Sequence, residues 1–282
     1  MKTPKPILAA PNNILLALCL IITAIYSCNE TPPGPTASKP DYLHFTIGNY
    51  WIFSTYAYDY WGNIVSETTM DSLVVVGQQE LLGNKAFILY LFSGHGIIDT
   101  FYMFSDQTEA FQIFDNIDIG FDVISRSWLK IADFEKRDWH QYDTSTSNYR
   151  FVFQQDTVVA ALDLTINGSH EYTDTITVEN KRYYAYYCYF KIDSRLIFPY
   201  NFTYQVDSDT GTVTVRDSVT VKRFHLQYKR YWFEKNIGII RMQDEPSMQM
   251  WSTQPVTPAY PAKNYFNNGR VWYLLRYYVK AS

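Results

Sequence analysis

Val158-Val159-Ala160-Ala161-Leu162-Asp163-Leu164-Thr165-Ile166 is the stretch whose reading decides the fold. Its even positions are Val158, Ala160, Leu162, Leu164 and Ile166, while the odd ones drift to Asp163, Thr165 and then Asn167. A side-chain period of two belongs to a strand with one face on a core and the other toward water. Asn167-Gly168 follows at once and suits the positive φ angles of a tight turn, so a hairpin is predicted there, with His170 to Val178 as its returning strand. Further turn signals at Gly62-Asn63, Gly83-Asn84, Asp209-Thr210-Gly211 and Asn268-Gly269 punctuate an antiparallel meander.

A phase change marks a later strand. From Val213 to Val221 the apolar residues are odd, whereas beyond Arg223 the apolar set is even: Phe224, Leu226 and Tyr228. Because a one-residue slip reverses every side chain, a bulge or break is predicted near Lys222-Arg223, and bulges bend sheets. The chain holds 25 Tyr, 18 Phe and 7 Trp, with Val, Ile and Thr between them, the profile of pleated, half-buried surfaces. Helix-period stripes are scarce, and the best is Trp128-Leu-Lys-Ile131-Ala-Asp-Phe134-Glu135. The expected fold is mainly β: a long, strongly curved antiparallel sheet or partial barrel with few short helices, with a two-sheet β-sandwich as the alternative.

The N-terminus has a different texture. Lys2 and Lys5 lead into an apolar run from Ile14 to Ile25, and the run ends in Ile25-Tyr26-Ser27-Cys28. It falls short of the about 20 apolar residues that span a bilayer, and its length suits the h-region of an export signal. The basic start, the short apolar stretch and the small residue before a cysteine resemble the signal peptide and lipobox of bacterial lipoproteins. That resemblance implies removal of residues 1–27, a lipidated Cys28 as the new N-terminus, and attachment to a membrane of the cell envelope, the outer membrane. Residues 28–40, rich in Pro, read as an extended tether, and residues 41–282 as a single β-rich domain. Cys19 leaves with the signal and Cys28 carries lipid, so Cys188 is alone in the mature chain and no intramolecular disulfide is expected. Its strand-like surroundings make it a small buried hydrophobe.

Little in the domain points to chemistry. The five histidines, His44, His95, His140, His170 and His225, are scattered without metal-ligand spacing, so no metal is expected. Ser93-Gly94-His95-Gly96 lacks the Gly-x-Ser-x-Gly elbow and reads as a hairpin loop. Asp115, Asp118 and Asp122 cluster, but not at calcium-loop spacing, and Ile117, Ile119 and Phe121 between them suggest a strand with one wet face. No Gly-x-Gly-x-x-Gly, phosphate loop or Cys-x-x-Cys is present, which leaves no catalytic residue and no cofactor to expect. The net charge of −4 becomes −6 without Lys2 and Lys5, and nucleic acid is not an expected partner.

The aromatic surplus is the feature open to function. Tyr183, Tyr187 and Tyr189 share a face that ends in Lys191 and Asp193, opposite Tyr184 and Phe190. Either the domain covers both faces, or one side lines a cavity or a ligand platform. The expected role is that of a non-enzymatic envelope lipoprotein binding an apolar or amphiphilic ligand, or an envelope protein, on a curved sheet. A surface carbohydrate-binding or adhesion module, with a glycan as partner, is the alternative, and a hydrolase the second alternative.

Two short stretches carry a resemblance. Phe45-Thr-Ile-Gly48-Asn49-Tyr50-Trp51 is similar to the Phe…Gly-Asn-x-Trp opening that follows the lipobox tether in many Bacteroidetes envelope lipoproteins. Tyr231-Trp232-Phe233-Glu-Lys-Asn236-Ile237-Gly238-Ile239-Ile240 resembles their Tyr-Trp-Phe-x-x-x-Val-Gly-Leu-Val signature, with Ile237 for Val and Asn236 where Gly is common. The resemblance implies a curved sheet akin to the half-barrels of periplasmic lipoprotein carriers, and it implies no reaction. Asp71-Ser72-Leu73, Asp156-Thr157-Val158, Asp174-Thr175-Ile176 and Asp217-Ser218-Val219 resemble the acceptor triplets of O-glycosylation in exported Bacteroidetes proteins.

Overall fold

The computed structural model describes residues 42–280 apart from 44, 95, 107, 115–125, 154, 179 and 255–262. By their contacts the described residues belong to one compact unit, Pro40–Ser282. All regular structure among the described residues is strand: β1 (Tyr50–Tyr58), β2 (Thr69–Leu81), β3 (Asn84–Ser93), β4 (Gly96–Ser105), β5 (Glu109–Phe114), β6 (Ser127–Asp133), β7 (Asp138–Phe153), β8 (Asp156–Val178), β9 (Lys181–Ser208), β10 (Gly211–Glu234), β11 (Gly238–Asp244), β12 (Met248–Gln254), β13 (Lys263–Phe266) and β14 (Gly269–Tyr278). They form one antiparallel sheet in the order β6-β5-β4-β3-β2-β1-β14-β11-β10-β9-β8-β7, with β12 on β10 and β13 on β12. The sheet is curved and does not close into a barrel, so neither a sandwich nor any helix is found among the described residues.

Three local expectations are corrected. The helix candidate Trp128–Glu135 is strand β6 and its exit. A bulge opposite Ala110 and Phe111 inserts Ile131 in that strand, and the three-residue spacing of Trp128, Ile131 and Phe134 is no helical stripe. Asn167-Gly168 makes no hairpin, because β8 runs straight through it and the chain reverses only at Asn180, where φ is +64°. Gly168 is required for another reason. A Cβ there would lie 2.0 Å from Cε2 of Trp139, so glycine is what lets the indole lie flat across the strand. The bulge expected at Lys222-Arg223 is also absent, since β10 pairs β9 without a shift from Gly211 opposite Ser208 to Phe233 opposite Tyr186. Its odd face simply turns polar midway, from Val219 and Val221 to Arg223, His225, Gln227 and Lys229, before Tyr231 and Phe233 restore the core.

The bends come from elsewhere. Register shifts at Ile52/Phe53, Val75/Gly77, His140/Tyr142, His170/Tyr172 and Trp232/Phe233 each add local twist. On the inner face Trp51, Phe53, Leu73, Leu89, Phe190 and Phe233 are fully buried. The turns at Gly62, Gly83 and Gly211 stand where the sequence places them, all with positive φ, and Ser93-Gly94 begins the β3–β4 hairpin.

The two ends of the sheet meet through a side chain rather than a ladder. Gln141, thrown out of register by the β7 bulge, accepts from the Lys130 amide at 2.5 Å and donates to the Lys130 carbonyl at 2.6 Å. Trp139 Nε1 donates to that same carbonyl at 3.3 Å. One amide side chain thus satisfies the free edge of β6 as a neighbouring strand would.

Candidate functional site

The polar half of the β10 inner face starts the site. Arg223 and His225 are only 5% and 2% exposed. Arg223 donates from Nη2 to Gln249 Oε1 at 2.7 Å and lies 4.8 Å from the centre of the Trp251 ring, both supplied by β12. Six residues on, Lys229 is clamped between both carboxylate oxygens of Asp244 on β11, at 3.0 and 2.9 Å. Tyr231 then donates to Gln112 Oε1 at 3.2 Å, and complete burial pushes its phenol well above the usual range.

Between this stripe and strands β3, β4 and β14 lies a cleft of about 420 Å³. Leu91, Phe101, Tyr231, Met242 and Trp272 supply apolar surface, while Asp99, Lys229, Asp244 and Arg270 supply charge. Arg270 stands over Trp272 at 5.7 Å and forms no ion pair among the described residues. It also borders a second depression of similar volume that contains Thr55, Glu67 and Asp71, so the two share a wall. The local backbone is built for close approach: a Cβ on Gly269 would meet the Asp244 carbonyl at 2.6 Å and the Tyr58 ring at 2.7 Å. Asp71 is 1% exposed and accepts from Trp272 Nε1 at 3.1 Å, which gives the first of the four acceptor-like triplets a structural duty. A ligand entering here meets aromatic and aliphatic surface on one side and, in Arg270, a cation open to an anionic group.

The residues singled out by sequence are dispersed. Cys28, His44, His95, Asp115, Asp118 and Asp122 lie outside the described residues. His140 pairs with Asn167 Oδ1 at 2.5 Å, and His170 stacks on Tyr186 at 3.6 Å, where burial, reinforced by Arg137, lowers its pKa. His225 is separate from both, on β10. Among the described residues no group of three or more His, Cys, Asp or Glu could hold a metal ion. Cys188 is buried, and loss of solvation pushes its thiol far up, which keeps it protonated and inert. Tyr183 and Tyr187 are buried on one face of β9 and Cys188 and Phe190 on the other, while Tyr184 is 71% exposed. Tyr189 and Lys191 border a third, open depression with Asp138, His140 and Ser169.

Lys229, Asp244 and Arg270 were not picked out by spacing. The sequence signal existed in the phase change at Arg223, which marks where the inner face stops being core.

No family model and no curated protein matches the chain. Among solved structures, it is similar to a crystal structure of a "putative lipoprotein" from Parabacteroides distasonis ATCC 8503, at 12% identity and a TM-score of 0.39, over 85% of this chain and 99% of that one. A likeness that distant carries no argument about fold detail or function.

Proposed function

We propose that this chain is a non-enzymatic, lipid-anchored protein of the cell envelope, tethered through Cys28 at the outer membrane, whose inner cleft binds an amphiphilic ligand with an anionic group. The observation that carries the binding reading is the cleft of about 420 Å³, in which apolar Leu91, Phe101, Met242 and Trp272 stand beside Arg270, a cation without an ion pair among the described residues. Its volume falls within the few hundred Å³ of ligand sites. Lys229 is already neutralised by Asp244, so Arg270 is the group that would receive the anion. Neither His nor Cys lines the cleft, which favours binding over catalysis. The anchor rests on the resemblance of Lys2 to Cys28 to a lipobox signal.

Isothermal titration of the full chain, in a non-ionic detergent, with 1-naphthalenesulfonate tests the cleft. Saturable one-to-one binding is expected, weakened about tenfold by Arg270→Ala through loss of a charge-assisted contact. Absence of binding, or equal affinity in the variant, refutes the cleft reading. Intact-mass analysis of membrane-extracted protein tests the anchor: a chain that starts at a diacylglyceryl Cys28 is expected, and an unmodified N-terminus at any other residue refutes it.

A further inference from the structure

At the C-terminal end of β1, in the loop that follows the cleft residue Ala57, the chain holds a tryptophan out in water. Trp61 is 74% exposed, beside Tyr60 at 48%, Ile64 at 63% and Val65 at 49%. Phe266 of β13 completes an aromatic corner: its ring lies 4.4 Å from that of Tyr60 and 5.7 Å from that of Trp61, tilted by 40° and 55°. Tyr60 and Trp61 meet edge to face at 6.0 Å.

The loop that presents these rings is rigidly bonded. One carboxylate oxygen of Asp59 accepts from the amides of Trp61 and Asn63 at 2.9 and 2.8 Å, and the other from the Asn63 side chain at 2.9 Å. The Asp59 amide donates to the Asn63 carbonyl at 2.9 Å, and Ser66 Oγ accepts from the Ala57 amide at 2.7 Å. An exposed indole on a loose loop is common, whereas here five hydrogen bonds fix the loop that carries it, so a ligand would meet the rings without ordering them first.

Size and charge select among occupants. With aromatic side chains of about 150–250 Å², the exposed parts of Tyr60, Trp61, Ile64 and Val65 sum to roughly 400–500 Å². A stable protein interface needs about 800 Å² per partner. The ionisable neighbours on the loop are acidic, Asp59 and Glu67, which opposes anionic lipid headgroups. The patch also stands one strand length, roughly 26 Å, from the end of β1 where Tyr42 and Phe45 pack against Phe134 and Trp51. We propose that the Tyr60–Trp61–Phe266 corner is a glycan site that seats one or two neutral sugar rings. The C–H groups of a pyranose carry partial positive charge and lie flat on the negative face of an aromatic ring, and two rings set at an angle embrace a sugar from two sides. Tyr60, Trp61 and Phe266 do not line the cleft, and the inference rests on none of its side chains.

Affinity electrophoresis of the full chain tests it, in a polyoxyethylene detergent that has no sugar headgroup, through gels containing mannan, xyloglucan, a mixed-linkage β-glucan or starch. Retardation by at least one polysaccharide is expected, with the apparent affinity lowered at least fivefold by Trp61→Ala and by Tyr60→Ala. Leu82→Ala, an exposed site in another turn, is expected to change nothing. Migration unaffected by all four polysaccharides overturns the proposal, as does retardation that survives Trp61→Ala. Trp61-dependent sedimentation with phosphatidylethanolamine–phosphatidylglycerol vesicles, or a Trp61-dependent dimer in ultracentrifugation, would also overturn it in favour of a membrane or a second copy.

Discussion

Replacing Gly168 by Ala isolates the reason a glycine stands in the middle of a 23-residue strand. The added methyl would sit 2.0, 2.2 and 2.3 Å from Cε2, Cζ2 and Nε1 of Trp139, distances at which the indole has to leave. Leaving exposes most of a buried Trp side chain, worth about 4–5 kcal/mol at 25 cal/mol per Å² over roughly 150–200 Å². It also breaks the 3.3 Å bond from Trp139 to the Lys130 carbonyl, worth about 1 kcal/mol. Partial repacking recovers some of this, so a loss of about 3 kcal/mol is expected, in line with overpacked cores. Urea denaturation of the full chain, followed by tryptophan fluorescence, reads the shift. The decisive comparison is the same substitution in a Trp139→Leu background, where the methyl has room and the further loss is expected to fall below about 1 kcal/mol. If Gly168→Ala costs as much there as in the wild type, the glycine serves its own backbone, as a hairpin turn would require, and the reasoning fails.

Two other outcomes follow from the closing edge of the sheet. Gln141→Ala leaves the Lys130 amide and carbonyl without their side-chain partner; a loss of about 1–3 kcal/mol is expected, together with faster hydrogen exchange at the Lys130 amide, and unchanged exchange would show that the edge does not depend on Gln141. Asp133 is almost fully buried, which on its own would raise its pKa, yet the Lys136 amide, the Lys130 ammonium and the Glu135 amide outweigh desolvation and hold the carboxyl below its usual range. A lowered folded-state value means stability present above the ordinary carboxylate pKa and lost as pH falls through the depressed one. Asp133→Asn is therefore expected to flatten the acid limb of the stability profile below the ordinary carboxylate pKa of about 4, and an unchanged limb would assign that limb to other carboxylates.

Periodicity carried the strand reading wherever one face of a strand is apolar along its whole length. The even face of β8, Ala160 to Ile166, is buried as its alternation indicates. The same rule misled where a face changes chemistry without changing geometry: Arg223, His225 and Lys229 occupy inward positions, and a polar inward residue is indistinguishable in one dimension from an outward one. Glycine was ambiguous for a similar reason. A turn and a close ring contact both exclude Cβ, and only the third dimension shows that Gly168 answers to Trp139. Beyond the phase change at Arg223 the cleft left no mark in the sequence, because Asp99, Lys229, Asp244 and Arg270 converge from strands up to 171 residues apart.

The two resemblance motifs show what such convergence adds. Read separately, Gly48-Asn49-Tyr50-Trp51 is a turn into a first strand, and Tyr231 to Ile240 is a strand, a turn and a re-entry. In the fold they are one contact. Trp51 Nε1 donates to the Ile237 carbonyl at 2.7 Å, and its ring lies where a Cβ on Gly238 would come within 3.1 Å. Gly238, at φ +95°, is thus required both by its backbone and by Trp51, while Asn236 at φ +61° holds the left-handed position that Asn tolerates better than other side chains. On the first motif, Asn49 is fully buried, accepts from the Lys280 amide at 3.0 Å and offers its carbonyl to Val75. The residues of each motif are therefore constrained by the other and by the last strand, which pairs with the first from Tyr50 opposite Tyr278 to Tyr58 opposite Gly269. A sheet whose first and last strands are neighbours cannot complete its inner face until the whole domain has been made, and the β1–β14 ladder beside the Trp51–Gly238 contact is that completion.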